Sequence, residues 1–528
     1  MAESKTQMNN EDSSSAHMDR QQTHGDNRQL ESLGFHSELE RNFSLPSIVG
    51  LCLCLMSTWE ACAAALVQGL ASGGAPCLFY NFIASFAGSL AIGASLGEIA
   101  SIYPTAGGQY HWVTALAPAR FKRPAGWFTG WISIGGLIAL TSSPAFLGGL
   151  MTQALITLND DTYLGTRWQG MLFYWAFVVY AAVMNVWGHR VLPTANFISG
   201  VLHAVFFLAT LIVLAVMSKK NTAHYVFVET QNETGWSSSG VAWFVGMISS
   251  VYPFLGYDAA CHLAEELPHA SRNVPIAIMG SIGINGILGL AFILVLLFSS
   301  DTLERLLQTP TGFPFVQLYL DVTKSHAGTT ILTIFIVLMA LAGAVAGLTS
   351  TSRTLWAFAR DDATPFSAFL STVKRNEHVP SRAIWTVTAF QILLGFIYLG
   401  SSAAFNAILS MAIIGMYLSY LLPILAMLFQ GRSKLATKDY GPFKLGNAFG
   451  TLVNIVSVSW IILVIVFSAF PSAMPVSAQD MNYSSVIIVG WMFFGVLYYL
   501  LAGHRNFRMP IVGAGVVMGI PLGAVEHS

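Results

Sequence analysis

The sequence predicts an all-α polytopic membrane protein with twelve transmembrane helices, and three observations carry that expectation. Of 528 residues, 54% are apolar and only 10% are charged, against about 25% charged in soluble domains. The apolar residues fall into blocks that reach the length of about 20 residues needed to cross a bilayer as a helix. Two of these blocks are interrupted by polar residues at mid-span, at Leu55-Met56-Ser57-Thr58-Trp59-Glu60 and at Phe254-Leu255-Gly256-Tyr257-Asp258-Ala259. In hydrocarbon a carboxylate or an unpaired backbone group is costly, so such breaks imply an internal polar cavity.

Taken in order, residues 1–42 are polar and rich in Ser, Asn, Gln and His, without an apolar run ending in a small-residue cleavage site. They read as a disordered cytoplasmic tail with no cleaved signal peptide. A membrane domain follows over 43–505. Its first half holds apolar segments at 46–71, 78–101, 125–151, 168–187, 196–217 and 241–263. The second half holds segments at 275–298, 329–356, 383–400, 403–429, 451–470 and 484–503. Residues 506–528 read as a second cytoplasmic tail, because Ile511–Ile520 is apolar but too short and glycine-rich for a thirteenth span.

With the N-terminus inside, the short inner loops carry most of the cations, among them Arg120, Lys122, Arg123, Arg190, Arg272, Arg360 and Arg432. The outer loops carry only Arg167, Lys219, Lys220, Arg305 and Lys324. This asymmetry puts both termini in the cytoplasm. The sequons at Asn232 and Asn482 then fall outside as candidate glycosylation sites, whereas that at Asn42 falls inside. The near-neutral net charge of −1 and the lack of a basic block give no reason to expect nucleic acid. None of the five cysteines has metal-ligand spacing, so they read as small packing residues; no metal or cofactor is expected.

The strongest local signal is GEIASIYPTAGGQYHWV, from Gly97 to Val113, where Pro104 and the Gly107-Gly108 pair end the second span and begin a cytoplasmic connection. Further stretches are FLGYDAACHLAEELPHASRNVPIAI from Phe254, TSRTLWAFARDDATPFS from Thr351, and LGFHSELERNFS ahead of the first span. With these motifs in this order the chain resembles the amino acid, polyamine and organocation transporter superfamily over about residues 33–505. Its wording is most similar to the fungal branch that carries choline, 4-aminobutyrate and amino acids.

The resemblance implies a LeuT-like fold, a five-plus-five inverted repeat with two additional C-terminal helices. Spans one and six are then partners, and these are the two segments singled out by polarity. Broken helices expose N–H groups and positive dipole ends that hold a carboxylate, and carbonyls that hold a cation. The expected substrate-binding residues are Ser57, Thr58, Trp59 and Glu60 at one break, and Phe254, Gly256, Tyr257 and Asp258 at the other. Where many relatives place a Gly-Ser-Gly-like run, this chain has Ser57-Thr58-Trp59-Glu60. That departure turns the expectation from an ordinary α-amino acid toward an amine-centred solute, with the Trp59 ring face as a cation-attracting surface.

Each assignment has a bland counterpart. Glu60 either neutralises an amine or carries a coupling proton, or is a structural carboxylate bonded to nearby backbone. Asp258 either faces the solute or caps the second half of its broken helix. Phe254 and Tyr257 either gate the pocket or simply pack. His203 is similar in position to a lysine that proton-coupled relatives use; it either takes up a proton or donates to a neighbouring carbonyl as a neutral ring. Glu265 and Glu266 with Arg272 read as inner-end gating or capping charges, and Glu98 as a partner in a cytoplasmic ion pair.

The expected activity is secondary active transport by proton symport, of choline, 4-aminobutyrate or an amino acid. The alternatives are a carrier for a specialised metabolite, such as an alkaloid or cyclic imino acid, and a nutrient-sensing receptor on the same fold. No nucleotide-binding loop, catalytic arrangement or filter repeat points to a pump, enzyme or channel. The expected partners are the solute, a coupling proton and the lipid bilayer, and the expected site is the plasma membrane, with the vacuolar membrane as the alternative.

Overall fold

The computed structural model describes residues 27, 30, 31, 33–35, 38–160, 162–300, 303–307, 309–373, 379–436, 439–477 and 481–510, with backbone alone at 402–408. Most of the expected N-terminal tail and the Ile511–Ile520 stretch lie outside the described residues. The described residues just ahead of the first span lie against the bundle, with Leu30, Leu33, Phe35 and Leu39 buried.

Among the described residues, twelve helices are long and apolar enough to cross a membrane. The first six are Leu45–Ala64, Leu66–Ile102, Lys122–Asn159, Arg167–Val186, Leu192–Met217 and Ser239–His262. The next six are Ala270–Ser299, His326–Arg360, Ser381–Gly400, Leu409–Lys434, Asn447–Ser468 and Ser484–Asn506. No strand occurs among the described residues. The chain is an all-α polytopic membrane protein.

The first span starts where Ser44 and Ser47 exchange hydrogen bonds in a capping box, with Pro46 in the first turn. The sequence places its end at residue 71, and the helix assignment places it at Ala64; the difference lies in a kink. The helix Leu66–Ile102 is divided at Gly74, whose φ of 75° and ψ of −168° are open to glycine alone. Residues 66–73 therefore prolong the first span, and the second begins beyond the kink.

Burial sorts the spans into centre and rim. In the first and third, 83% and 78% of the apolar window is buried, against 28% in the fifth and eleventh and 17% in the twelfth. The rim spans turn residues such as Val205, Leu208, Ile455 and Phe493 outward, as a lipid solvent requires. Close helix approach brings the eighth span to the first: a Cβ added at Gly343 would sit 2.9 Å from the Cys54 carbonyl oxygen. All five cysteines are buried and free of disulfides.

Candidate functional site

Ser57 alone forms the break in the first span. Its φ of 40° and ψ of 52° are left-handed, between helices Leu45–Met56 and Thr58–Ala64. A non-glycine residue there is strained, and its hydroxyl holds the turn by donating to the Cys54 carbonyl at 2.5 Å. The sixth span breaks over more residues. A 3₁₀ turn at Tyr252–Phe254 leads to extended Leu255, then to Gly256 at φ 104°, before helix resumes at Ala259–His262.

The two breaks lock together. Thr58 Oγ1 donates to the Pro253 carbonyl at 2.7 Å. Leu55 packs so tightly on Gly256 that an added Cβ would lie 2.8 Å from its Cγ.

Between them lies a small cavity lined by Leu55, Met56, Ser57, Glu60, Ala61, Leu140, Ser143, Pro144, Leu147, Tyr252, Leu255, Ile336 and Ala340. It leaves about 40 Å³ in which the centre of a water molecule can move, room for a few waters. Ser143 and Tyr252 share a hydrogen bond at its wall, so one of the two hydroxyls keeps a proton free to donate.

Glu60 joins this cavity to the fifth span. Its Oε1 lies 2.9 Å from His203 Nδ1, and its buried Oε2 has no hydrogen-bond partner. His203 Nε2 lies 3.0 Å from Asn285 Oδ1. Asn285 Nδ2 reaches the Leu53 carbonyl at 3.4 Å, which turns its oxygen toward the ring. Both imidazole nitrogens thus face acceptors, whereas a neutral imidazole has one N–H. Both contacts are made when the pair holds one extra proton, either as imidazolium and carboxylate or as neutral ring and carboxylic acid.

The other expected site residues surround the breaks without lining this cavity. Trp59 is fully buried and packs on Phe292, His203 and Phe207, with ring centroids 5.2, 6.1 and 6.4 Å away. Phe254 sits on Phe82 and Phe86 at 5.0 and 5.8 Å. Tyr257 packs against Tyr420 at 5.6 Å. Asp258 heads the Ala259–His262 helix but makes no side-chain cap. Instead it accepts from Gln109 Nε2 and the Tyr420 hydroxyl, each at 2.7 Å, with His262 Nε2 at 3.4 Å.

Those contacts tie the PTAGGQ motif to the sixth span. Ala106 donates through its N–H to Glu265 at 3.2 Å, and its carbonyl lies 3.3 Å from His262 Nδ1. Glu265 is held by both terminal nitrogens of Arg360 at 2.9 Å, and Glu266 by Arg353 Nε at 2.8 Å. The arginine partners of the two glutamates are therefore on the eighth span, and Arg272, grouped with them in the sequence, is exposed. Arg360 also lies over the Phe35 and Trp356 rings at 4.0 and 4.5 Å, closing this end of the bundle. Glu98 pairs with Arg432 at 2.6 Å, as the sequence led us to expect.

Just past the eighth span, Tyr110 donates to Asp361 at 2.8 Å. Burial pushes the Asp361 carboxyl up to about 7, against the opposing pull of Arg360 and the Tyr110 bond. His111, buried with both ring nitrogens unpartnered, is held neutral by the same desolvation, down to about 3.

Asn285, Ser143 and Tyr252 were missed by the sequence reading. An amide at the middle of the seventh span and a hydroxyl pair before Pro144 are the signals that could have found two of them; Tyr252 looks like one more aromatic.

Of the candidate glycosylation sites, Asn232 is exposed and Asn482 half-buried; both amide nitrogens are engaged, Asn232 with the Trp236 carbonyl at 2.8 Å and Asn482 with those of Ser468 and Phe470 at 2.7 and 3.0 Å.

Comparison with known proteins agrees with this architecture. The amino acid permease family model matches residues 43–494. The chain is 32% identical over 472 residues to a choline transporter of Saccharomyces cerevisiae, covering 89% of this chain and 83% of that protein. It is 29% identical over 498 residues to the amino-acid permease BAT1 of Arabidopsis thaliana, covering 91% and 95%. It is 27% identical over 507 residues to amino-acid permease 2 of Neurospora crassa, covering 93% and 90%. A family match over most of the chain, joined to twelve spans with the first and sixth broken, gives the conclusion that this protein belongs to the amino acid permease family of the amino acid, polyamine and organocation superfamily.

Proposed function

We propose that the protein is a proton-coupled secondary transporter of a small amine-containing solute, with choline, 4-aminobutyrate and related amino acids as its candidate cargo. The observation that carries this reading is the buried, unpaired Oε2 of Glu60, a residue that lines the cavity between two broken helices. A buried carboxylate oxygen without a donor is costly, and a solute ammonium supplies the missing charge and, where it bears hydrogen, the missing donor. Ser57, Ser143 and Tyr252 provide hydroxyls for the rest of the solute. Thr58, Trp59, Phe254, Gly256, Tyr257 and Asp258 hold the two breaks in register, and His203 carries the coupling proton beside Glu60. A relative named a choline transporter supports an amine as cargo.

The same reading takes residues 43–505 as the transport domain, with both termini cytoplasmic in the plasma membrane. It takes Asn232 as the sequon open to a glycan. The test is competitive uptake into energised vesicles with choline, 4-aminobutyrate, basic and neutral amino acids and pipecolate. Saturable, pH-dependent uptake of an amine supports the reading. Failure of every solute to move against a gradient refutes it.

A further inference from the structure

We infer that a proton and a cationic amine exclude one another at Glu60, so that the protein exchanges protons for amine instead of carrying both in the same direction; this rests on the reading of Glu60 as the amine's partner. Among the described residues that line the cavity, Glu60 is the only charged one. Its single negative charge is balanced by one positive charge. With the Asn285 oxygen turned toward the ring, that charge is the extra proton that lets His203 make both contacts, to Glu60 Oε1 and Asn285 Oδ1 at 2.9 and 3.0 Å.

An ammonium entering the cavity beside Glu60 brings a second positive charge into a site with about 40 Å³ of free space. An imidazolium and an ammonium around one carboxylate leave a net charge in a low-dielectric interior, which is strongly unfavourable. Loss of the proton from the His203–Glu60 pair to water restores neutrality. His203 then keeps one N–H on Nδ1 for Glu60, and Nε2 becomes an acceptor, satisfied if Asn285 turns its amide nitrogen toward the ring. No bond other than this N–H or O–H is broken.

The groups packed around Glu60 offer no second counter-charge. Cys54 and Cys62 lie on its own span, Tyr252 on the sixth, and Tyr319 on the helix Pro314–Thr323. As thiols and phenols they are uncharged. The third span contributes Ser143, the seventh Asn285, and the eighth Ile336 and Ala340.

The test uses the purified full chain and choline, a fixed cation that has no proton to give or take near neutral pH. Titration calorimetry in two buffers of different ionisation enthalpy counts the protons released. Exchange requires a release approaching one proton per choline, with affinity rising up to about tenfold per pH unit. In proteoliposomes preloaded with choline and diluted into choline-free buffer, choline efflux then acidifies the interior. Binding without proton release, or an interior that turns alkaline, overturns exchange and leaves the amine site standing. No choline binding at any pH refutes the amine site itself, and the inference with it.

Discussion

His203 and Glu60 meet across the fifth and first spans with Nδ1 2.9 Å from Oε1, both side chains almost fully buried. The pair engages one carboxylate oxygen and leaves the other buried without a partner, on a residue that lines the cavity. A residue on a rim span and a residue at a helix break are thereby one electrostatic unit.

Replacing one member of the unit leaves the other uncompensated. His203→Phe keeps a ring against Trp59 but removes the counter-charge, and breaking a buried pair this way costs about 3–5 kcal/mol. We expect at least a tenfold loss of uptake and a flattened dependence on pH between 5 and 8. Asn285→Leu is expected to act in the same direction but less, by removing one acceptor. Uptake assays across pH on both variants check this; a parental pH profile in His203→Phe is the contrary result.

Gly256 is the hinge of the sixth span. Gly256→Ala places a methyl at φ 104°, 2.8 Å from Leu55. Strain of this kind costs on the order of 1–3 kcal/mol. Leu55→Ala in the same chain relieves the clash but not the backbone, so thermal unfolding in detergent should recover only partly.

The Glu266–Arg353 contact at 2.8 Å is buried on both sides. Glu266→Gln and Arg353→Met each leave a charge stranded, and each is expected to lower stability by about 3–5 kcal/mol. The double variant is expected to lose much less than the sum. A double-mutant cycle on melting temperature measures the coupling; additive losses are the contrary result.

Asp361 gives a pH dependence with a fixed sign. Its folded carboxyl titrates at about 7 against an ordinary 3.8. Between those values the folded protein holds a proton that the unfolded chain has lost, so this contribution to stability falls as pH rises from about 4 to about 7 and is level above that. Asp361→Asn still accepts from Tyr110 and lacks the titration. The variant is expected to match the parent near pH 4 and to melt progressively higher than it up to pH 7. Parallel curves contradict the assignment.

His111 is buried between the Phe35 and Tyr103 rings with two idle nitrogens. Its contribution is present above pH 6.5 and lost as pH falls toward 3, because the unfolded ring takes a proton first. His111→Phe keeps the ring contacts and is expected to raise the melting temperature most at acid pH.

The spans were legible because membrane helices are written in composition: most of the observed limits fall within a few residues of the apolar blocks. The breaks at Ser57 and Gly256 were legible because polar and glycine residues interrupt those blocks. The third span, read as ending at 151, runs on to Asn159 because Thr152, Gln153 and Thr157 are tolerated at its polar end, where Thr152 and Thr157 donate to carbonyls four residues back. What stayed hidden was pairing across the bundle. His203, Asn285 and Glu60 are far apart in the chain, and no local pattern says that one ring joins the other two. The same applies to Asp258, whose bonds to Gln109 and Tyr420 replaced the helix cap that its neighbourhood suggested.

Initial uptake of radiolabelled choline and 4-aminobutyrate, measured at pH 5.5, 6.5 and 7.5 in proteoliposomes containing equal amounts of parent or Glu60→Gln, bears on all of this. If Glu60 holds the amine and shares the proton, Glu60→Gln lowers uptake of the transported amine by at least about tenfold and loses the dependence on pH that the parent shows. Uptake and pH dependence equal to the parent's would remove Glu60 from both roles.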